Sequence, residues 1–415
     1  MNHFQRRAGE LCCEEVPLSE LAEEVGTPAY VYSTATLLRH ARVFRSALRG
    51  LDALACFAVK SAPNLAILSL LAREGFGFDI VSGGELFRAL QAGGDPRRIV
   101  FSGVGKRQDE MAAALDAGIL MFNCESEEEL EQLSRVAARK KAVAGVALRV
   151  NPAVDARTHP YIATALSTSK FGVPAARVRK AYRLAASLPG LRVTGVACHI
   201  GSQIQSVKPF VAAAGKLRAL VEQLRLDGHD IRRLDMGGGL GVPYGDRPAP
   251  ASPQEYGAAL VRALRGLDIE VLLEPGRLLV ANAGVLLSRV LLRKQGHGAR
   301  RFVVIDAGMN DLMRPALYGA HHDLEPVGKP RRGAELVDVV GPVCESADVM
   351  ARRRRLPPLQ AGDLVVLRTA GAYGMSMASQ YNARPRPAEV LVSGRSWRVI
   401  RSRESYKDLV RGESP

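Results

Sequence analysis

The chain has 415 residues, 47% hydrophobic and 24% charged, with a formal net charge of +15. That length exceeds one ordinary domain, and the composition is that of a globular protein rather than a fibrous or low-complexity one. No run of about 18 apolar residues predicts a transmembrane helix, and the first residues, MNHFQRRAGELCCEEVP, lack the apolar stretch of a signal peptide.

In chain order, LSELAEEVG predicts a first helix with Ser19 as N-cap and Gly26 as its stop. PAYVYS reads as a short strand, and TATLLRHARVFRSALRG as a second helix. Eight β-rich apolar runs follow: ACFAVK (55–60), FDIVSGG (78–84), IVFSG (99–103), LMFNCE (120–125), GVALRVNP (145–152), VTGVACHIG (193–201), IRRLDMGGG (231–239) and IEVLLEPGR (269–277). Helical periodicity fills most of the gaps, for example LAILSLLAREG, GELFRALQAGG, KRQDEMAAALDAG and SEEELEQLSRVAARKK. Eight strands alternating with helices predict an α/β fold, a (β/α)8 TIM barrel, whose chemistry sits at the C-terminal strand ends. The polar insertion from Asp155 to Pro174 is at that edge, where long loops carry function.

After about Leu286 the pattern changes to short strands bounded by turn signals: RVLLRKQG, RFVVIDAG, AELVDVVGPVC, DLVVLRTAG, AEVLVSG and SWRVIRSR. Several alternate apolar with polar residues, as in a sheet with one wet face. The expected division is residues 1–30 contributing to a mostly antiparallel β-domain, 31–285 forming the barrel, and 286–415 forming the rest of the β-domain. The basic run Arg352 to Arg355, followed by two prolines, reads as a solvated loop between strands. No zinc finger, aromatic RNA-binding pattern or basic helix accompanies it, so nucleic acid is not an expected partner. The charge instead suits attraction of acidic small molecules.

The six cysteines are Cys12, Cys13, Cys56, Cys124, Cys198 and Cys344, and none forms a C-x-x-C pair. Metal and redox-pair readings are therefore poor, and a reducing cytoplasmic setting is expected. Cys56, Cys124 and Cys198 fall in or beside predicted strands and read as small core hydrophobes.

At the strand ends stand Lys60, Asp79, Arg149, His199, the run Gly237-Gly238-Gly239-Leu240-Gly241, and Glu274. A lysine desolvated near other cations can form a Schiff base with an aldehyde. Consecutive glycines expose backbone N–H groups to an anion, and barrels commonly bind phosphate after strands seven and eight. Glu274, beside Pro275, Gly276 and Arg277, either pairs with Arg277 or faces a pyridine nitrogen and keeps it protonated. His199 reads as a flat group for stacking, and Ser202 as a hydrogen-bond donor to phosphate. An amine, a planar imidazole, a phosphate-sized nest and a carboxylate together point to pyridoxal 5'-phosphate.

The stretches FDIVSGGEL, IVFSGVGK, RVNPAVDARTHPYI, SKFG, CHIGSQ, DMGGGLGVPY, EPGR, DAGMNDLMRPALYGAHH, GPVCESAD and GAYGMSMASQYN make a chain that resembles the diaminopimelate decarboxylases. These are fold-type III pyridoxal phosphate enzymes of lysine biosynthesis, and the likeness covers nearly the whole length. The resemblance implies that Lys60 is the Schiff-base lysine, His199 the stacking group and Glu274 the pyridinium partner. It implies a cofactor site that also includes Asp79, Ser202, Gly238, Gly239, Gly276, Arg277 and Tyr373. It implies that Arg277, Arg314 and Tyr318 grip the distal carboxylate of the substrate, that Glu345 reads the distal ammonium, and that Tyr373 and Tyr381 lie near ring and substrate. Cys344 resembles an active-site cysteine supplied by a partner subunit, so the resemblance implies a homodimer with shared sites. The chain departs from the family pattern at Phe57, Ser61, Ala62, Ala165 and Gln380.

Charge supports the same substrate. Arg277 and Arg314 with Glu345 offer both signs, and a substrate carrying a distal amino-acid group, as meso-diaminopimelate does, needs both. The activity implied is decarboxylation of its D-centre to L-lysine and CO2. Two alternatives stay open: a pyridoxal phosphate decarboxylase of another diamino acid or carboxylated polyamine, and a pyridoxal phosphate-binding regulatory protein, although such proteins generally lack the β-domain.

Overall fold

The computed structural model describes residues 2–154, 170–245 and 248–414. Two compact units divide the chain: Ala41–Val242 with Ala249–Leu278, and Met1–His40 with Pro243–Pro248 and Leu279–Pro415.

The first unit is the barrel. Its strands are β1 (Ala53–Ala58), β2 (Gly77–Ile80), β3 (Ile99–Phe101), β4 (Met121–Cys124), β5 (Ala144–Asn151), β6 (Leu191–Ala197), β7 (Arg233–Asp235) and β8 (Glu270–Leu273). Each pairs in parallel with the next, and β8 pairs with β1, so the ring closes and leaves no edge. All eight runs read from the sequence become these strands. Leu54, Cys56, Val100, Met121, Ala147, Ala197 and Leu272, drawn from six of them, meet in one buried cluster.

Among the described residues, seven helices follow the first seven strands: α1 (Leu65–Arg73), α2 (Gly83–Gln91), α3 (Gln108–Ala117), α4 (Glu127–Lys140), α5 (Val178–Ser187), α6 (Lys208–Leu226) and α7 (Pro253–Leu264). The side chains of Asn64, Ser82, Ser126 and Ser252 accept first-turn N–H groups of α1, α2, α4 and α7. Helix α4 opens on Glu127, Glu128 and Glu129 and closes on Arg139 and Lys140, the charge order its dipole favours. The insertion expected at Asp155 to Pro174 lies outside the described residues up to position 169.

The second unit carries a sheet in the order Val349–Leu356, Glu335–Val340, Arg301–Ile305, Gly284–Gln295, Ala29–Ser33, Ala388–Ser393, Ser396–Arg401. Most of its pairings are antiparallel, and Leu364–Leu367 joins Leu324–Pro326 to the long strand Gly284–Gln295. The N-terminal residues add a three-stranded sheet, Phe4–Arg7, Glu10–Cys13 and Val16–Pro17, and a helix, Leu18–Glu24. Leu11, Cys13, Leu18, Leu21, Val31, Val285, Leu287, Val366 and Val390 share one core in this unit. The cuts expected at 30/31 and 285/286 fall inside strands. Ala29–Ser33 and Gly284–Gln295 pair with each other and belong whole to this unit.

Two local expectations need correction. Ser19 is the second residue of its helix rather than the N-cap; Pro17 occupies that place with extended backbone and no side-chain cap. Gly26, with φ near +79°, follows the helix as expected. Arg352 to Arg355 are not a loop but lie within the strand Val349–Leu356, paired antiparallel with Glu335–Val340. Buried Met350, Ala351 and Leu356 anchor that strand, and the charged stretch between them crosses a register break where Arg353 takes φ near +48°. No helix among the described residues is long and apolar enough to cross a membrane.

Candidate active site

The barrel holds Lys60, Asp79, His199, Ser202, Gly238, Gly239, Glu274, Gly276 and Arg277, all at the C-terminal ends of strands. Lys60 follows β1 by two residues, in a single 3-10 turn over Val59–Ser61. Its Nζ donates to Asp79 Oδ2 at 2.6 Å. Asp79 is fully buried in β2, while the Lys60 side chain is 38% exposed. The second Asp79 oxygen, Oδ1, is buried with no hydrogen-bond partner among the described residues. Nearby, Glu85 accepts the Val81 N–H at 2.7 Å, and burial pushes its carboxyl up to about 7, with Asp79 adding to the rise and Lys60 opposing it.

Glu274 follows β8 and is buried. Ser102, after β3, donates from Oγ to its Oε1 at 3.4 Å. Asp235, the last residue of β7, hydrogen-bonds the Glu274 carboxyl and itself accepts from Asn123 Nδ2 at 2.8 Å and Gly237 N at 2.9 Å. Burial first, then the nearby Asp235 and Asp79 charges, hold the Glu274 carboxyl well above its usual range. Burial likewise raises the Asp235 carboxyl, so each of the two neighbouring carboxyls disfavours ionisation of the other.

His199 follows β6. The Gly238 N–H donates to its Nδ1 at 3.2 Å, which leaves the ring proton on Nε2. Burial, then the cations Arg149 and Lys60, hold the imidazole well below its ordinary value, so it is a neutral flat ring. Arg149, at the end of β5, is itself tied to buried Glu125 at 2.9 Å.

The glycine turn is built for close approach. A Cβ on Gly239 (φ +110°) would stand 2.2 Å from the Gly201 carbonyl oxygen, and one on Gly238 2.1 Å from that of Glu274. Gly276 lies with Ala58 and Ser61 just over 3 Å from the place of its missing Cβ. Arg277 Nη2 donates to Ser202 Oγ at 3.1 Å, leaving the Ser202 hydroxyl proton for another acceptor.

The β-domain holds the remaining candidates. Arg314 and Tyr318 open and close the short helix Arg314–Tyr318, and Arg314 is buried. Cys344 and Glu345 occupy the turn between Glu335–Val340 and Val349–Leu356. Cys344 is exposed, and its N–H donates to Asn382 Oδ1 at 2.7 Å. Buried Asp348 braces the same turn by accepting the Val343 and Met309 N–H groups, both at 2.7 Å. Tyr373 takes φ near +55° after Leu364–Leu367, and Tyr381 is exposed next to Asn382. The structure therefore assembles one group of candidates on the barrel and another within the β-domain.

Asp235, Asn123 and Ser102 were not singled out from the sequence. Each lies within or at the end of a strand run already identified, so position along the strand was the available signal.

The barrel residues fit pyridoxal phosphate: a lysine with a partly exposed side chain, an orphaned buried carboxylate oxygen on its partner, a second buried carboxyl, and a backbone nest no side chain could enter. With the barrel-plus-β-domain fold, that fit defines a pyridoxal phosphate-dependent decarboxylase. Residues 34–281 match the family model described as pyridoxal-dependent decarboxylase, pyridoxal binding domain. The chain is 50% identical over 413 residues to a diaminopimelate decarboxylase of Vibrio cholerae, covering 99% of this chain and 98% of that one. It is 50% identical over 416 residues to one of Pseudomonas aeruginosa, covering 100% and 99%. A crystal structure of diaminopimelate decarboxylase from Helicobacter pylori complexed with L-lysine superposes with a TM-score of 0.91 at 41% identity, over 95% of this chain and 98% of that one. The chain belongs to the diaminopimelate decarboxylase family.

Proposed function

We propose that this decarboxylase acts on meso-2,6-diaminopimelate, removing the D-centre carboxylate to give L-lysine and CO2, the last step of lysine biosynthesis. The observation that carries the reading is the Lys60 amine held 2.6 Å from buried Asp79 on the same barrel mouth as buried Glu274. When bound, pyridoxal phosphate supplies an electron sink for the pair left on carbon as CO2 departs.

The protein's own groups divide the remaining work. Lys60 is the amine to which the aldehyde would be joined, and Asp79 fixes its position. Glu274, with Asp235 beside it, would hold the pyridine nitrogen. A neutral His199 offers its face for stacking without adding a positive charge that would compete with a protonated ring. Ser202, Gly238, Gly239, Gly276, Arg277 and Tyr373 would cradle the phosphate, with N–H groups and the free Ser202 hydroxyl proton as donors.

For the substrate, Arg277, Arg314 and Tyr318 are proposed to grip the distal carboxylate, and Glu345 the distal ammonium, with Tyr373 and Tyr381 beside them. Cys344 is proposed to return a proton to the carbon. We further propose a cytoplasmic homodimer in which Cys344 and Glu345 of one copy serve the Lys60 of the other.

The test is CO2 release from purified protein with and without added pyridoxal phosphate, comparing meso-diaminopimelate, ornithine, arginine and carboxynorspermidine. Cofactor-dependent release from meso-diaminopimelate above the other three is expected. Preference for another substrate would replace the substrate reading.

A further inference from the structure

Arg314 is a buried guanidinium with an imidazole and an aromatic face among its partners. Its Nη1 approaches His322 Nε2 at 3.0 Å, and the other ring nitrogen, Nδ1, lies 2.9 Å from the Arg368 carbonyl oxygen. A guanidinium can only donate and a carbonyl can only accept. Nε2 must therefore be the bare acceptor and Nδ1 the protonated donor, which makes His322 a neutral imidazole of one tautomer. The Arg314 guanidinium also lies over the Tyr244 ring, 4.7 Å from its centroid, and Tyr244 meets His322 edge-on at 5.6 Å.

The main chain beneath is fixed as well. Arg354 donates to the His322 carbonyl at 3.3 Å and reaches both ring nitrogens of His321 at 2.8 Å. A residue of the basic run thus braces this cluster. His322 is 1% exposed, so its contacts are made inside the protein and not in competition with water.

We propose that His322, with the face of Tyr244, is a positioning residue that sets the Arg314 guanidinium for the substrate's distal carboxylate. The proposal rests on the reading that Arg314 binds that carboxylate. An acceptor nitrogen in the plane of the guanidinium and an aromatic ring across its face fix its orientation in two independent directions. The second nitrogen's bond to Arg368 fixes the ring, as outer partners do for other functional histidines.

The experiment compares two inhibitors of the holoenzyme. L-lysine keeps the distal carboxylate group, and cadaverine lacks it. His322→Phe is expected to raise KM for meso-diaminopimelate and Ki for L-lysine about tenfold or more, the usual scale for losing a hydrogen bond to a charged group. It should leave kcat within about threefold and Ki for cadaverine within about twofold. His322→Gln, which can accept from Arg314 and donate to the carbonyl, should recover most of the loss. If the Phe variant does not fold, Tyr244→Leu is expected to raise Ki for L-lysine relative to cadaverine in the same sense. Equal changes for both inhibitors, or none, overturn the proposal. Arg314→Leu is measured beside them. If it lowers selectivity for L-lysine while the His322 and Tyr244 variants do not, the positioning role alone fails. If it leaves selectivity unchanged, the Arg314 reading fails and the proposal with it.

Discussion

At the residue scale, the barrel mouth is governed by buried carboxyls. Lys60 meets Asp79 at 2.6 Å, Glu274 meets Asp235, and Glu85 lies close enough to feel both Lys60 and Asp79. Lys60→Ala is expected to abolish the cofactor's visible absorbance band and lower CO2 release by about a thousandfold or more, because no other amine takes its place. A normal band with retained turnover would refute the lysine's role. Glu85 provides a pH test on the apoprotein. Its folded-state value of about 7 exceeds its ordinary 4.5, so the folded state binds the extra proton between those limits. The associated stability is present below about pH 4.5 and lost as pH rises to 7, at most about 3 kcal/mol. Urea unfolding should show wild type falling relative to Glu85→Gln across that interval, and a difference independent of pH would contradict the assignment. Lys60, Asp79, His199 and Glu274 could be picked out because each lies in a strand run or just past the end of its strand. Asp235, Asn123 and Ser102 were not, since their meeting depends on ring closure that brings β3, β4, β7 and β8 together across more than a hundred residues of chain.

At the element scale, the eight barrel strands could be read because parallel buried strands are continuous apolar runs bounded by turns. The turn after β7 is where sequence and geometry meet most closely. Gly239 has φ near +110° and a carbonyl oxygen 2.2 Å from its would-be Cβ. Gly239→Ala must therefore move backbone, and we expect cofactor affinity to fall at least tenfold by titration of the visible band, with the fold retained by circular dichroism. Unchanged affinity would remove this turn from the phosphate cradle. The strand Val349–Leu356 was misread because four successive arginines hid its period of two. Its pairing with Glu335–Val340 decides the matter, and one of those arginines, Arg354, turns inward to His321. Ser19 was misplaced by two positions because Pro17, with its fixed backbone angle, takes the N-cap place instead.

At the scale of the whole molecule, the change from alternating strand and helix to short strands alone marked two architectures, and the structure has both. The division into continuous blocks was less legible. Ala29–Ser33 joins strands that lie more than 250 residues later in the chain, and no local pattern announces such a partner. The proposed shared sites make a prediction at this scale. Lys60→Ala and Cys344→Ala homodimers should each be nearly inactive, and an equal mixture allowed to exchange subunits should recover about a quarter of wild-type CO2 release. No recovery despite demonstrated exchange would show that each copy is complete without the other.

The central claim is that Lys60 carries pyridoxal phosphate in the barrel mouth. Borohydride reduction of the reconstituted enzyme followed by peptide mass mapping tests it most directly. A pyridoxyl phosphate adduct is expected on the peptide containing Lys60, with its loss in Lys60→Ala; an adduct only on another lysine, or none, would contradict that claim.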